Sequence, residues 1–172
     1  MRPSVSASLA SRGPERVMFV IRKATRDDVK AAWDIRRAAV MSECIRLYPA
    51  EQLEEWTGGV ASTAFAAAVE EGFLVATVDD RVVATGMINL ATGKIDAIFV
   101  HPDFMKRGIG AAMIGHLEEL ACSERLPELT LDSTLNAAAF YRSLGFVGDV
   151  IGRYPSRRGL KLDCVPMVKR LR

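Results

Sequence analysis

Residues 100–110 read VHPDFMKRGIG, and a helix-patterned segment follows at once. Glycines between a β-rich run and a helix present backbone N–H groups to an anion. Three phosphate cradles are conceivable for this turn. A P-loop requires G-x-x-x-x-G-K-[ST], and nothing here supplies it. The dinucleotide fingerprint G-x-G-x-x-G fails at its third glycine, which is Met113, and HPDFMKR separates the strand from the glycines. What remains is a long turn delivering Lys106, Arg107, Gly108, Ile109, Gly110 and Ala111 as the first turn of a helix. Its unpaired N–H groups and positive dipole end would hold a pyrophosphate. Gly108 and Gly110 would let the phosphates approach without a Cβ in the way. Taken alone, the pattern fits a plain glycine-containing helix start equally well.

Working outward, the segment after the turn carries Ile109, Met113, Leu117 and Leu120 on one helical stripe. Before it, Phe73–Val78, Val82–Leu90 and Lys94–Val100 are β-rich runs separated by the turn signals DDR and ATG, which predicts an antiparallel meander. Residues 17–24 begin with another β-rich run. Thr25 and Asp28 then form a capping-box-like start for a helix bearing Val29, Trp33, Val40 and Cys44, with Ala32, Ile35 and Ala39 beside them. Pro49 suits the first turn of AEQLEEW, and Gly58-Gly59 ends it. Residues 61–71 read as a further helix. Downstream, the pattern gives a strand at Leu129–Leu131, a short helix at Ala137–Leu144, and strands at Phe146–Ile151 and Leu162–Val168. No repeat or low-complexity linker divides the chain, so one α+β domain with a mixed, mostly antiparallel sheet flanked by helices is expected over residues 17–172. Residues 1–16, MRPSVSASLASRGPER, lack an apolar secretion segment. They read as a disordered tail or an over-extended start.

Bulk composition narrows the function classes. At 172 residues the chain has the length of a single domain, and its 49% apolar and 26% charged content is that of a globular protein. A net charge of +2 argues against a nucleic-acid partner, although seven Lys or Arg face one acid, Asp163, from Gly152 to Arg172. No run of about 18 apolar residues indicates a membrane span. Cys44, Cys122 and Cys164 are odd in number and far apart, and only His101 and His116 could join them. Neither a disulfide framework nor a metal site is expected; buried thiols in the cytoplasm are.

The arrangement strand–V-x-P-x-x-[Q/R]-x-x-G-x-[G/A]–helix resembles the coenzyme A signature of the Gcn5-related N-acetyltransferase superfamily. Val100, Pro102, Gly108 and Gly110 match it, and Lys106-Arg107 supply its basic character. LTLDSTLNAAAFYRSLGF (129–146) is similar to that family's strand, acceptor-side helix and next strand, and the order of elements agrees over residues 17–168. Within the superfamily, PAEQLEEW, IDAIFVHP and S-x-N-A-x-x-F-Y resemble a branch of small bacterial acetyltransferases. Two positions depart from the pattern. The Gln or Arg of the signature falls on Met105, which has no side-chain donor. The Asn seven residues before the family's tyrosine falls on Thr134, with Asn136 two further on.

The resemblance implies acetyl-CoA as co-substrate, no metal, and direct transfer to the primary amine of a small molecule or peptide, with a homodimer compatible. It places Tyr141 as general acid toward the coenzyme sulfur. It also implies that the strand IDAIFV is splayed from its neighbour, so that the backbones of Ile98, Phe99 and Val100 meet the pantetheine amides. Asp96, read as sharing a strand face with Ile98 and Val100, is the candidate base, with Glu43 and Glu55 as rivals. The acceptor pocket should be built by residues 36–58 and the loop GRYPSRRGLK. There Arg153, Arg157 and Arg158 hint at an acceptor carrying a carboxylate or phosphate. Met105 and Thr134 motivate a competing reading, a coenzyme A-binding module without catalysis.

Overall fold

The structure is a computed structural model that describes residues 17–155 and 159–172; the expectations for residues 1–16 and for Arg157 and Arg158 lie outside those. The meander forms as its pattern predicts. β1 (Val20–Lys23), β2 (Phe73–Val78), β3 (Arg81–Asn89) and β4 (Lys94–Val100) pair antiparallel in sequence order. Beyond β4 the order becomes β5 (Glu128–Ser133), β7 (Lys161–Arg170) and β6 (Gly152–Pro155), so the described residues form a seven-stranded sheet β1-β2-β3-β4-β5-β7-β6. Among the described residues, only β4 and β5 run parallel.

Five helices cover the sheet among the described residues: α1 (Val29–Glu43), α2 (Ala50–Thr57), α3 (Thr63–Gly72), α4 (Ile109–Ser123) and α5 (Ala138–Ser143). Neighbours on β2 point to opposite faces. Ala76 joins the core under α4, with Ile109 and Met113, while Val75 packs with Ala32 of α1 and Val69 of α3. Each fully buried aliphatic side chain in these layers contributes about 1.5–3 kcal/mol. The start of α1 is tied down as the sequence suggested. The Asp28 carboxylate accepts from the Thr25 N–H at 2.7 Å and from both terminal nitrogens of Arg22, at 2.7 and 2.9 Å.

Three local expectations need correction. The α4 stripe ends on buried Ala121, not on Leu120, which is exposed, because the 3.6-residue period carries the face round by one position. The strand expected at Phe146–Ile151 is reduced to a bridge, Val147 with Val168, and pairing resumes only in β6 at Gly152–Pro155. Opposite the gap stands Pro166 of β7, which has no N–H to donate to a ladder. Cys44 and Cys164 are buried as expected, but Cys122 is exposed.

Candidate active site

Two glycines fix how α4 meets the sheet. Gly86 of β3 lets Met113 lie directly on the strand: a Cβ there would fall 2.5 Å from the methionine Cγ. Met113 thus packs α4 onto the sheet at the position where the dinucleotide pattern wanted a glycine. Gly108 is the N-cap of α4, with φ 83°, and Lys106 is also left-handed at φ 60°. The helix therefore begins at Ile109, and residues 106–108, with Lys106 and Gly108 left-handed, form an approach to it instead of its first turn. The first intrahelical bond runs from the Ala112 N–H to the Gly108 carbonyl at 3.0 Å. Geometry leaves the N–H groups of Ile109, Gly110 and Ala111 without intrahelical acceptors, at the positive end of a fifteen-residue helix.

The loop before it is braced. His101 Nδ1 accepts from the Asp103 N–H at 3.1 Å, capping a single 3-10 turn at Pro102–Phe104. The Phe104 ring carries the Arg81 and Arg107 guanidinium groups at 5.5 and 5.4 Å. Arg107 is thus held on Phe104 and does not line the cavity described next, whereas Met105, Lys106, Gly108, Ile109, Gly110 and Ala111 do.

That cavity, of about 1060 Å³, opens where the sheet splits. Among the described residues β4 meets β5 at a single register pair, Lys94 with Thr130, beside a bond from the Thr130 N–H to the Gly93 carbonyl. Past that point the strands diverge, and Ile98, Phe99 and Val100 line the opening. A strand edge left without a neighbour offers N–H and C=O groups to an extended ligand. Thr134, Asn136 and Tyr141 line the same space from the β5–α5 side. Tyr141 is 8% exposed, and burial pushes its phenol pKa up, so the hydroxyl stays protonated at neutral pH. Asn136 Oδ1 accepts from the Cys44 thiol at 3.3 Å, which stitches the end of α1 to the loop before α5. Burial drives that thiol up to about 11, leaving it unreactive.

Asp96 also lines the cavity, but on different terms from those expected. Met87 faces Ala97 while Ile88 faces Ile95, so Asp96 is the extra residue of a β-bulge. Alternation breaks there: Ile95 packs under α4 with Ile114 and Leu117, while Ala97 packs with Ala32 and Phe73 on the opposite layer. Asp96 therefore does not share a regular face with Ile98 and Val100; it stands out exposed at the bulge. Of its rivals, Glu43 lines the cavity and Glu55 does not.

Several wall residues carry no motif and escape sequence reading. Lys94 Nζ pairs with Asp132 at 2.8 Å and lies 5.8 Å from the Tyr154 ring; the Asp132 bond chiefly holds the lysine pKa up. The Tyr48 hydroxyl donates to the Asp163 carbonyl at 2.5 Å and accepts from the Leu135 N–H at 3.1 Å, tying the α1–α2 connection to β7 and to the loop before α5. Arg36 stacks between Trp33 and Trp56, at 5.2 and 5.6 Å, and donates to the Trp56 carbonyl at 3.0 Å. Trp33 and Arg36 lie one helical turn apart, a spacing that could have signalled their contact, whereas Trp56 on α2 leaves no local trace of it. Arg153 pairs with Asp163 at 3.9 Å on the surface and is absent from the cavity wall.

A split mixed sheet with a glycine-started helix pointing N–H groups at the split is the architecture of acyl-CoA N-acyltransferases. The model of an acetyltransferase (GNAT) domain matches residues 44–171, and the chain belongs to that family. A GCN5-related N-acetyltransferase structure from Rhodopseudomonas palustris, also described as a class-II aminotransferase, is 26% identical; the match covers 98% of this chain and 99% of that one, with a TM-score of 0.81. The PaiA N-acetyltransferase of Thermoplasma acidophilum, solved with coenzyme A, shares the fold at 15% identity, over 89% and 99% of the two chains, with a TM-score of 0.66. So does the ribosomal-protein-S18-alanine N-acetyltransferase of Escherichia coli, at 23% identity, 89% and 94% coverage and a TM-score of 0.64. Among curated proteins, none matches the chain.

Proposed function

We propose that this protein is a cytoplasmic enzyme that transfers the acetyl group of acetyl-CoA directly to a primary amine of a small molecule or peptide. The observation that carries the reading is the coincidence, in one cavity, of the β4–β5 split, the free N–H groups of Ile109, Gly110 and Ala111, and the protonated Tyr141. The residues fit the co-substrate. The α4 amides suit its pyrophosphate, Gly110 lets Phe140 close against the first turn of that helix, and the open edge of β4 at Ile98–Val100 suits an extended amide chain.

In the reaction a carbon–nitrogen bond forms at the acetyl carbonyl and the carbon–sulfur bond breaks. Backbone N–H groups of the β4 edge stabilise the developing oxyanion. Tyr141 donates a hydrogen bond, and then its proton, to the departing sulfur. The amine must lose a proton, and Asp96, exposed at the bulge, takes it directly or through water. The cavity holds both partners in one orientation, which supplies much of the acceleration in direct transfer.

The test is thiol release from acetyl-CoA against a panel of amino acids, polyamines, aminoglycosides and peptide N-termini. Turnover with at least one amine supports the reading. Coenzyme A binding without turnover across the panel would favour the non-catalytic module that Met105 and Thr134 motivate, and no binding at millimolar ligand would sink both.

A further inference from the structure

Among the described residues, Thr85 Oγ1 is the buried side-chain polar atom with no hydrogen-bond partner. Thr85 is 1% exposed, sits on β3 opposite Phe99, and lines the cavity on the α1–α3 side of the sheet. A hydroxyl left unpaired in such a place costs about 1–3 kcal/mol, and a valine of nearly the same shape would avoid that cost. The wall around it is apolar: Ala32, Phe73, Ala97 and Phe99. A lone water needs two to four polar partners, and those apolar side chains supply none beside the Thr85 hydroxyl. A charged group set against those apolar side chains would lose its hydration. A neutral hydroxyl on a ligand, whose apolar body fills the rest of the chamber, satisfies both constraints. Met87, two residues along β3 and also in the cavity wall, is a flexible side chain that can move aside to admit it.

We infer that Thr85 is a specificity-determining residue, and that the acceptor is an amine bearing a hydroxyl which this threonine recognises. The inference rests on the acetyltransferase reading and names the acceptor class for the same site. Asp96 and the β4 edge receive the amine end, and Thr85 receives the hydroxyl on the far side of an apolar spacer. Trp33, Phe65 and Phe73 pack edge to face as a connected aromatic wall for that spacer.

The experiment compares matched acceptors, tyramine against phenethylamine and aminopentanol against pentylamine, by thiol release with the full chain and with Thr85→Val and Thr85→Ser. The wild type should prefer the hydroxylated member of one pair, and which pair shows whether the spacer is aromatic or aliphatic. Thr85→Val should reduce that preference about tenfold, and Thr85→Ser should keep it. Coenzyme A affinity should be unchanged in both variants, and the Tm of Thr85→Val should equal or exceed that of the wild type. An unaltered kcat/KM ratio in Thr85→Val overturns the inference, as does no preference in the wild type or a clear loss of Tm in the variant. The last would mean that the hydroxyl serves the fold. Thiol release from none of the amines in either panel overturns the acetyltransferase reading itself, and this inference with it.

Discussion

Phe140 lies against the α-carbon of Gly110. A Cβ added there would stand 3.2 Å from the phenyl Cζ and 3.7 Å from Val100 Cγ2. The contact closes α5 over the first turn of α4, so the residue before Tyr141 touches the backbone assigned to the pyrophosphate. Helix α4, the split strand β4 and the helix that carries Tyr141 meet at this one glycine.

Gly110→Ala separates folding from cofactor binding. Gly110 is helical, so alanine gains about 1 kcal/mol of helix propensity, offset in part by the push on Phe140. The new methyl points at Phe140 and Val100, so it reaches the coenzyme site by displacing the Phe140 ring in the cavity wall. Coenzyme A affinity should fall about tenfold while the Tm holds or rises. Calorimetry beside a thermal melt checks this, and equal affinity would show that the Phe140 ring can shift without disturbing the coenzyme site.

Tyr141→Phe removes one hydroxyl from a buried ring that still packs against Phe140 and Phe146. Turnover should drop on the order of a hundredfold with coenzyme A affinity nearly unchanged. The phenol pKa is raised, so no loss of activity from Tyr141 ionisation should appear on the alkaline limb near its ordinary value of about 10. Saturating rates equal to wild type would take the acid role away from Tyr141.

The sequence exposed this site unevenly, for physical reasons. Gly108 and Gly110 were legible as a helix start because they serve local backbone geometry, whereas Tyr141 was reached only through the family resemblance. The split of β4 from β5 came through the family resemblance, since hydrogen-bond register between strands about forty residues apart leaves no local trace. The bulge at Asp96 was missed because a single inserted residue looks like ordinary alternation until its partner strand is known. Thr85 was invisible for the same reason: a threonine in a β-rich run is unremarkable until its hydroxyl is found buried and alone.

Asp28 makes stability depend on acid. The Arg22 bond first, and then the Thr25 N–H, hold its carboxyl below the ordinary carboxylate range against the opposing effect of burial. As pH falls, the unfolded chain takes up this proton before the native one does. The contribution is therefore whole above the unfolded value of about 3.9 and vanishes as acidification passes the lower native value. Asp28→Asn should cost about 1–3 kcal/mol at neutral pH and flatten the acid limb of stability. Urea unfolding at several pH values measures both, and an acid limb as steep as wild type would assign the effect to other carboxylates.

Met105 tests how the anion is held. It stands in extended backbone, φ −67° and ψ 157°, half-buried in the cavity wall where the family signature carries a side-chain donor. Its thioether cannot donate, yet Ile109, Gly110 and Ala111 still direct three N–H groups at the same place, backed by the dipole of α4. If main-chain donors carry the pyrophosphate, Met105→Gln adds one neutral hydrogen bond to a site already served. Such a bond contributes about 1 kcal/mol net, or roughly fivefold in affinity. Coenzyme A titration of Met105→Gln should therefore show a gain of about fivefold or less, with the Tm little moved. A gain of several tenfold would mean that the natural chain leaves a real gap at residue 105 and that the side-chain position outweighs the helix amides.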